Sequence, residues 1–72
     1  MAHIVDARGL ACPQPVLMTM EAIKSTDDKE IEVLVDNEAS RENVSRAAVT
    51  QGWSVIESVE AGDNFKVLIK RK

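Results

Sequence analysis

Residues 6–15 read Asp-Ala-Arg-Gly-Leu-Ala-Cys-Pro-Gln-Pro, and this stretch leads from a short apolar segment into a helical pattern. Proline is favoured at the first position of a helix, because its missing N–H has no partner there and its fixed φ suits the helix. The residue before a proline is pushed towards extended geometry, which a helix N-cap requires. The stretch therefore predicts a helix that begins at Pro13 with Cys12 as its N-cap.

Strand and helix patterns alternate on either side of this stretch. The predicted strands cover residues 3–5, 31–35, 53–60 and 65–70, with a turn at 61–64 between the last two. The first helix is predicted over 13–25, and the second is entered through residues 36–38 and ended by Gly52. The order is therefore β-α-β-α-β-β.

Hydrophobic spacing predicts which side of each element is buried. On the first helix the predicted apolar face consists of Val16, Leu17, Met20 and Ile23, and on the second of Val44, Ala47 and Ala48. In the strands, apolar residues alternate with Glu32 and Lys66, but Leu34 and Leu68 fall on the outer side. That outer side of the sheet is therefore expected to be partly apolar.

These patterns predict an α/β (α+β) two-layer sandwich. The first two connections each contain a helix, so they can join parallel strands with right-handed crossovers, and the last two strands form a hairpin. Both helices then lie on one face of a four-stranded mixed sheet. The 72 residues are expected to form a single domain, residues 1–72.

Composition excludes several classes of protein. The single cysteine cannot form an internal disulfide, which agrees with a reducing cytoplasmic location, and no apolar run approaches the roughly 20 residues of a membrane span. His3 and Cys12 alone cannot supply the three or four protein ligands of a zinc site, so no metal is expected. No Gly-rich phosphate loop and no Cys-His-Asp arrangement is evident.

Cys12 is the candidate reactive residue. A thiol at a helix N-terminus faces the positive end of the helix dipole, which lowers its pKa and favours the thiolate. Pro13 and Pro15 remove two N–H donors, leaving those of Gln14 and Val16, which suits a single sulfur anion better than a phosphate. No second cysteine follows in a C-x-x-C motif, so any sulfur species on Cys12 must pass to another molecule. A buried structural cysteine is the alternative.

The residues before Cys12 have predicted supporting roles. Arg8 could place a cation near the thiolate, or it could simply be solvated. Asp6 is expected to accept hydrogen bonds from the N–H groups of Arg8 and Gly9, and Gly9 can adopt φ > 0.

These residues resemble the signature of the TusA/SirA-like family of sulfur-carrier domains. The matching positions are Asp6, Gly9, Leu10, Cys12, Pro13 and Pro15. The resemblance implies a SirA-like β-α-β-α-β-β fold with the last strand antiparallel to the others. It also implies that Cys12 accepts sulfur as a persulfide from a cysteine desulfurase or rhodanese and relays it to an acceptor protein, with no bound cofactor.

Residues 35–45 and the pair Gln51-Gly52 are closer to the YedF branch of that family. This branch is linked to selenium metabolism, so selenium is an alternative cargo. Its domains are commonly followed by a DsrE-like domain, which is a candidate acceptor. The chain is accordingly either free-standing or the N-terminal domain of a longer protein. The acid-rich region that TusA proper has after its second strand is not matched well in this sequence, which argues against a role in transfer-RNA thiolation.

A second class of function stays open from the residues alone. The chain could be a regulatory or protein-interaction module in which Cys12 is a sensor or only a structural helix cap. Whether a carrier that turns over no small molecule alone is an enzyme is a matter of definition. Nucleic-acid binding is not favoured, because the net charge is −3 and the basic cluster formed by Lys66, Lys70, Arg71 and Lys72 is small.

Overall fold

The computed structural model describes residues 3–10, 14–27 and 29–71. Six elements follow one another in the predicted order. They are β1 His3–Asp6, α1 Gln14–Ser25, β2 Glu30–Val35, α2 Glu38–Thr50, β3 Trp53–Ala61 and β4 Asn64–Arg71. The predicted strands and helices are confirmed to within one or two residues, except that the predicted first helical residue, Pro13, lies outside the described residues.

The four strands form one mixed sheet in the order β1-β2-β4-β3. β1 and β2 are parallel, with Val5 opposite Val33, whereas β4 is antiparallel to both β2 and β3. The chain therefore places its last strand inside the sheet, between β2 and β3. Because β1 and β2 run in the same direction, the loops that follow them emerge at the same edge of the sheet.

Both helices cover one face of this sheet, and the core lies beneath them. Five strand residues that point to this face are completely buried: Ile31, Val33, Val35, Val67 and Ile69. On the opposite face Leu34 and Leu68 are half-buried and Ile4 is 61% exposed. The predicted two-layer sandwich with a partly apolar outer face is confirmed.

The predicted apolar face of α1 was wrong in part. Of its four members only Ile23 is buried; Val16 and Met20 are half-buried, and Leu17 is 53% exposed. The helix instead packs on the sheet through Pro15, Thr19, Ala22 and Ile23. A polar residue is tolerated in this position because the Thr19 hydroxyl donates to the Pro15 carbonyl oxygen at 2.8 Å.

α2 begins and ends as its sequence predicts. Asn37 has extended backbone geometry, and its side-chain oxygen accepts a hydrogen bond from the Ser40 N–H at 2.7 Å. After the helix, Gly52 adopts a φ of +84°, the left-handed conformation that ends many helices. Val44 and Ala48 are buried as predicted, whereas Ala47 is only half-buried. Among the described residues, no helix is long and apolar enough to cross a membrane.

Candidate functional site

The candidate site is the connection between β1 and α1, at the edge of the sheet where β1 and β2 both end. The structure describes this connection as far as Leu10 and resumes at Gln14. The predicted N-cap Cys12 and the predicted first helical residue Pro13 lie outside the described residues. The site is therefore defined by the two segments that lead into and out of residues 11–13.

The segment before Cys12 is attached to the sheet at Ala7. Its N–H donates to the Leu34 carbonyl oxygen at 2.8 Å, which extends the β1–β2 pairing by one residue. The Ala7 side chain is completely buried. The connection thus leaves the sheet from a fixed point.

Asp6 and Arg8 form an ion pair immediately beyond this point. The Arg8 Nε and Nη2 groups donate to the two Asp6 carboxylate oxygens at 2.9 and 2.8 Å, and the Arg8 N–H donates to Asp6 Oδ1 at 3.2 Å. These hydrogen bonds lower the pKa of Asp6 to about 2 and raise that of Arg8. The guanidinium is therefore bound to a carboxylate within the same turn, which competes with the role predicted for it as a cation beside the thiolate.

Gly9 is held by a different acidic residue from the one predicted. Its N–H donates to Asp36 Oδ2 at 2.6 Å, whereas the hydrogen bonds that Asp6 accepts from the described residues come from Arg8. The prediction that Asp6 binds the N–H groups of both Arg8 and Gly9 was therefore wrong for Gly9. The reason is the parallel pairing of β1 and β2, which places Asp36, directly after β2, beside the connection that follows β1. The φ of Gly9 is +78°, as its predicted freedom allows.

The segment after Cys12 is held by α1. Gln14 is exposed at the first position of this helix, and Pro15 is completely buried in its first turn. The Pro15 carbonyl oxygen accepts from the buried Thr19 hydroxyl, so this turn is anchored to the face that packs on the sheet. The two sides of the connection are accordingly fixed by separate contacts, one at the sheet edge and one under the helix.

Apolar side chains are exposed next to the connection. Leu10 is 37% exposed and Leu17 is 53% exposed. Leu10 also borders an open depression lined by Asp6, Arg8, Gly9 and Asn64. Both leucines are therefore accessible to solvent, one on each side of residues 11–13.

Asp36 is the site residue that sequence reasoning missed as a partner of the connection. It was interpreted only as part of the entrance to α2. The parallel pairing of β1 with β2 brings the residues that follow the two strands to one edge of the sheet, and the sequence alone does not establish this pairing. Among the residues that the structure describes, no group of three or more His, Cys, Asp or Glu side chains could hold a metal ion.

Comparison with solved structures identifies the class of fold. The chain superposes on the crystal structure of a SirA-like protein from Desulfitobacterium hafniense with a TM-score of 0.81, at 30% sequence identity and over 93% of each chain. The α/β sandwich described above is thus a SirA-like fold.

Comparison of sequences identifies the family. The chain is 34% identical over 68 residues to a Methanocaldococcus jannaschii protein, covering 93% of this chain and 91% of that protein. It is 28% identical over 69 residues to YrkI of Bacillus subtilis, covering 94% and 92%. Both relatives bear the name "putative sulfur carrier protein". The family described as Sulfurtransferase TusA matches residues 3–71, and the chain belongs to this family.

Proposed function

We propose that this protein is a cytoplasmic sulfur carrier in which Cys12 accepts a sulfur atom as a persulfide and passes it to an acceptor protein. The observation that carries the proposal is membership of the TusA family over residues 3–71, a range that includes the single cysteine in its Cys-Pro-Gln-Pro sequence. The names of the two relatives support the same role.

The transfer needs no cofactor and no external oxidant. The Cys12 thiolate attacks the terminal sulfur of a persulfide on the donor protein, and a new S–S bond forms as that of the donor breaks. The donor cysteine leaves as a thiolate, so the number of S–S bonds is unchanged. In the second step an acceptor thiolate attacks the terminal sulfur on Cys12 in the same way. A lone cysteine suffices because each step ends on another protein.

The remaining site residues have positioning roles in this proposal. Asp6, Arg8 and Gly9 fix the segment before Cys12, Gln14 and Pro15 lie at the start of α1, and Pro13 lies outside the described residues. The contacts of Arg8, Gly9 and Pro15 support fixed segments on either side of residues 11–13, which favours the meeting of a thiol with a persulfide on a second protein.

The proposed partners are proteins. A cysteine desulfurase or a rhodanese is the donor, and a DsrE-like domain is the proposed acceptor, carried by a separate protein or by a longer form of this chain. Two members of the basic cluster have partners within the protein, which supports a protein partner over a nucleic acid. Lys66 Nζ lies 3.9 Å from Glu32 Oε1, and the Arg71 guanidinium stacks on Trp53 and donates to the Thr26 carbonyl oxygen. Selenium is an alternative cargo, since the same chemistry transfers it.

The test is to incubate the protein with a cysteine desulfurase and cysteine and to measure its intact mass. We expect a gain of one sulfur atom that is removed by a reducing agent and does not form on Cys12→Ser. Supplying selenocysteine with a selenocysteine lyase tests the alternative cargo in the same format.

The second class of function predicts a different result. A regulatory or interaction module in which Cys12 is only a helix cap would take up no sulfur, and its Cys12→Ser variant would retain partner binding. Absence of a Cys12-dependent sulfur adduct on the wild-type protein therefore contradicts the carrier function.

A further inference from the structure

The bond between Gly9 and Asp36 joins two parts of the chain that are 27 residues apart. It is a backbone N–H bound to a carboxylate oxygen at 2.6 Å, and charge-assisted hydrogen bonds of this kind are about twice as strong as neutral ones. Gly9 lies three residues before Cys12. Among the described residues of the connection, Gly9 is the one nearest to Cys12 in the sequence that is hydrogen-bonded to a distant part of the chain.

Asp36 is itself held in place by its neighbour. Its second carboxylate oxygen, Oδ1, accepts from Asn37 Nδ2 at 3.1 Å, and Asn37 Oδ1 accepts from the Ser40 N–H at the start of α2. A continuous series of hydrogen bonds thus runs from Gly9 through Asp36 and Asn37 to α2. The two carboxylate oxygens have separate partners, so Asp36 is fixed between the connection and the helix.

The two acidic residues at this edge of the sheet have different partners. Asp6 binds Arg8, two residues away, and so fixes only the local turn. Asp36, which directly follows β2, binds the Gly9 N–H and so fixes that turn relative to the rest of the protein. For transfer between two proteins the second kind of contact matters more, because a misplacement of about 1 Å can lower a rate on the order of a hundredfold.

We propose that Asp36 is a positioning residue for sulfur transfer: its hydrogen bond to Gly9 holds the segment that leads to Cys12 in the orientation required by a protein partner. The inference rests on the proposed carrier function and adds to it a residue outside the Cys-Pro-Gln-Pro sequence. Helix capping does not explain the acidic residue directly after β2, because Asn37 supplies the cap of α2. The positioning role does explain it.

The test compares two substitutions of Asp36 that remove the same charge. Asp36→Asn keeps an oxygen that can accept from the Gly9 N–H, whereas Asp36→Ala has none. Any electrostatic effect of the carboxylate on the thiol is lost equally in both variants, so their difference reports the hydrogen bond alone. The rate of sulfur uptake from a cysteine desulfurase supplied with cysteine is followed by intact mass.

We expect uptake to fall about tenfold or more in Asp36→Ala and by less than about threefold in Asp36→Asn. Val44→Ala is the structural control, because this side chain is completely buried on α2 and belongs to none of the hydrogen bonds described at the connection. It should lower the melting temperature but leave uptake within about twofold of wild type. All rates are measured well below the melting temperature of the least stable variant.

A small sulfur donor separates positioning from loss of the thiol itself. Polysulfide transfers one sulfur atom to a thiolate and is released one atom shorter, and it needs no protein contact. Wild type and both Asp36 variants should therefore react with polysulfide at rates within about threefold of one another once the thiolate fraction is matched by pH.

The outcomes distinguish this proposal from the function on which it rests. Equal desulfurase-dependent rates for Asp36→Ala and wild type overturn the positioning role and leave the carrier function intact. An equal loss in Asp36→Ala and Asp36→Asn also overturns it, since charge would then be the cause. Absence of any Cys12-dependent sulfur on the wild type overturns both.

Discussion

At the scale of single residues, the Asp6–Arg8 pair makes a local contribution that depends on pH. Two hydrogen bonds from the guanidinium lower the pKa of the Asp6 carboxyl from its ordinary value of 3.8 to about 2. Both side chains are about half exposed, so solvent weakens the attraction. The pair therefore orders the turn before Cys12 without adding much to global stability.

The first prediction concerns Asp6→Asn. A carboxyl whose pKa is lower in the folded protein stabilises the fold above its unfolded pKa, and this contribution is lost as the pH falls through the folded value. The difference in urea midpoint between wild type and Asp6→Asn should be constant from neutral pH to about pH 4 and should disappear as the pH approaches 2. Circular dichroism at a series of pH values measures it. A difference of the same size at pH 2 would contradict an ionic origin.

The second prediction concerns the Cys12 thiol. A helix N-terminus stabilises the thiolate, and the donors lost at two prolines limit this effect. We therefore expect a pKa moderately below the usual thiol value of about 8.5. The rate of alkylation by iodoacetamide, followed against pH, measures the pKa. An unshifted value would contradict activation by the helix, although sulfur transfer could still be tested separately.

The third prediction concerns Gly9, whose φ is +78°. An added Cβ would meet no atom within 4 Å, so Gly9→Ala is disfavoured by backbone strain alone, at about 1–2 kcal/mol. Gly62→Ala is a matched control, because this glycine has a φ of +67° and equally open space in the β3–β4 turn. Urea unfolding should show similar losses for both variants, while only Gly9→Ala slows sulfur uptake. Equal uptake in the two variants would contradict a role for the Gly9 conformation.

At the scale of elements, β2 could be predicted well because buried residues alternate along it with less buried ones. The buried residues Ile31, Val33 and Val35 alternate with half-buried ones. Because successive side chains of a strand point to opposite faces, this alternation assigns each residue to one face of the sheet. The buried side of α1 could not be predicted in the same way. Apolar residues lie on more than one side of this helix. The side that packs on the sheet includes Thr19, whose hydroxyl donates a hydrogen bond to a carbonyl oxygen of the same helix.

The candidate site was predictable only in part for a similar reason. Short-range relations, such as the helix start after Cys12 and the Asp6–Arg8 turn, follow from neighbouring residues. The contact of Gly9 with Asp36 instead depends on the pairing of β1 with β2 and on its register, with Asp6 opposite Leu34. Strand order is a property of the folded sheet, which the alternation of strand and helix does not determine.

The fourth prediction uses the side of α1 that the core leaves exposed. Leu17 on α1 and Val49 on α2 are exposed to a similar extent, 53% and 59%. Leu17→Gln and Val49→Gln should each change the free energy of unfolding by about 0.5 kcal/mol or less. If α1 contacts the sulfur donor, only Leu17→Gln should weaken desulfurase-dependent uptake, measured as the dependence of rate on desulfurase concentration. Equal effects on uptake would place the donor contact elsewhere.

At the scale of the whole molecule, the size of the core limits stability. A chain of 72 residues is expected to unfold with a free energy of roughly 4–11 kcal/mol, from about 0.05–0.15 kcal/mol per residue. The buried apolar side chains of the described core are aliphatic apart from Trp53. Each large aliphatic side chain between helices and sheet therefore accounts for a substantial share of the total.

The fifth prediction compares two isoleucines on opposite faces of the sheet. Ile31 is 0% exposed on the side covered by the helices, and Ile4, on the adjacent strand, is 61% exposed on the outer side. Ile31→Ala should lower the free energy of unfolding by about 2–5 kcal/mol, because it removes buried methyl groups and leaves a cavity. Ile4→Ala should lower it by less than about 1 kcal/mol. Urea denaturation followed by Trp53 fluorescence measures both, and equal losses would contradict the assignment of the core to the helix-covered face.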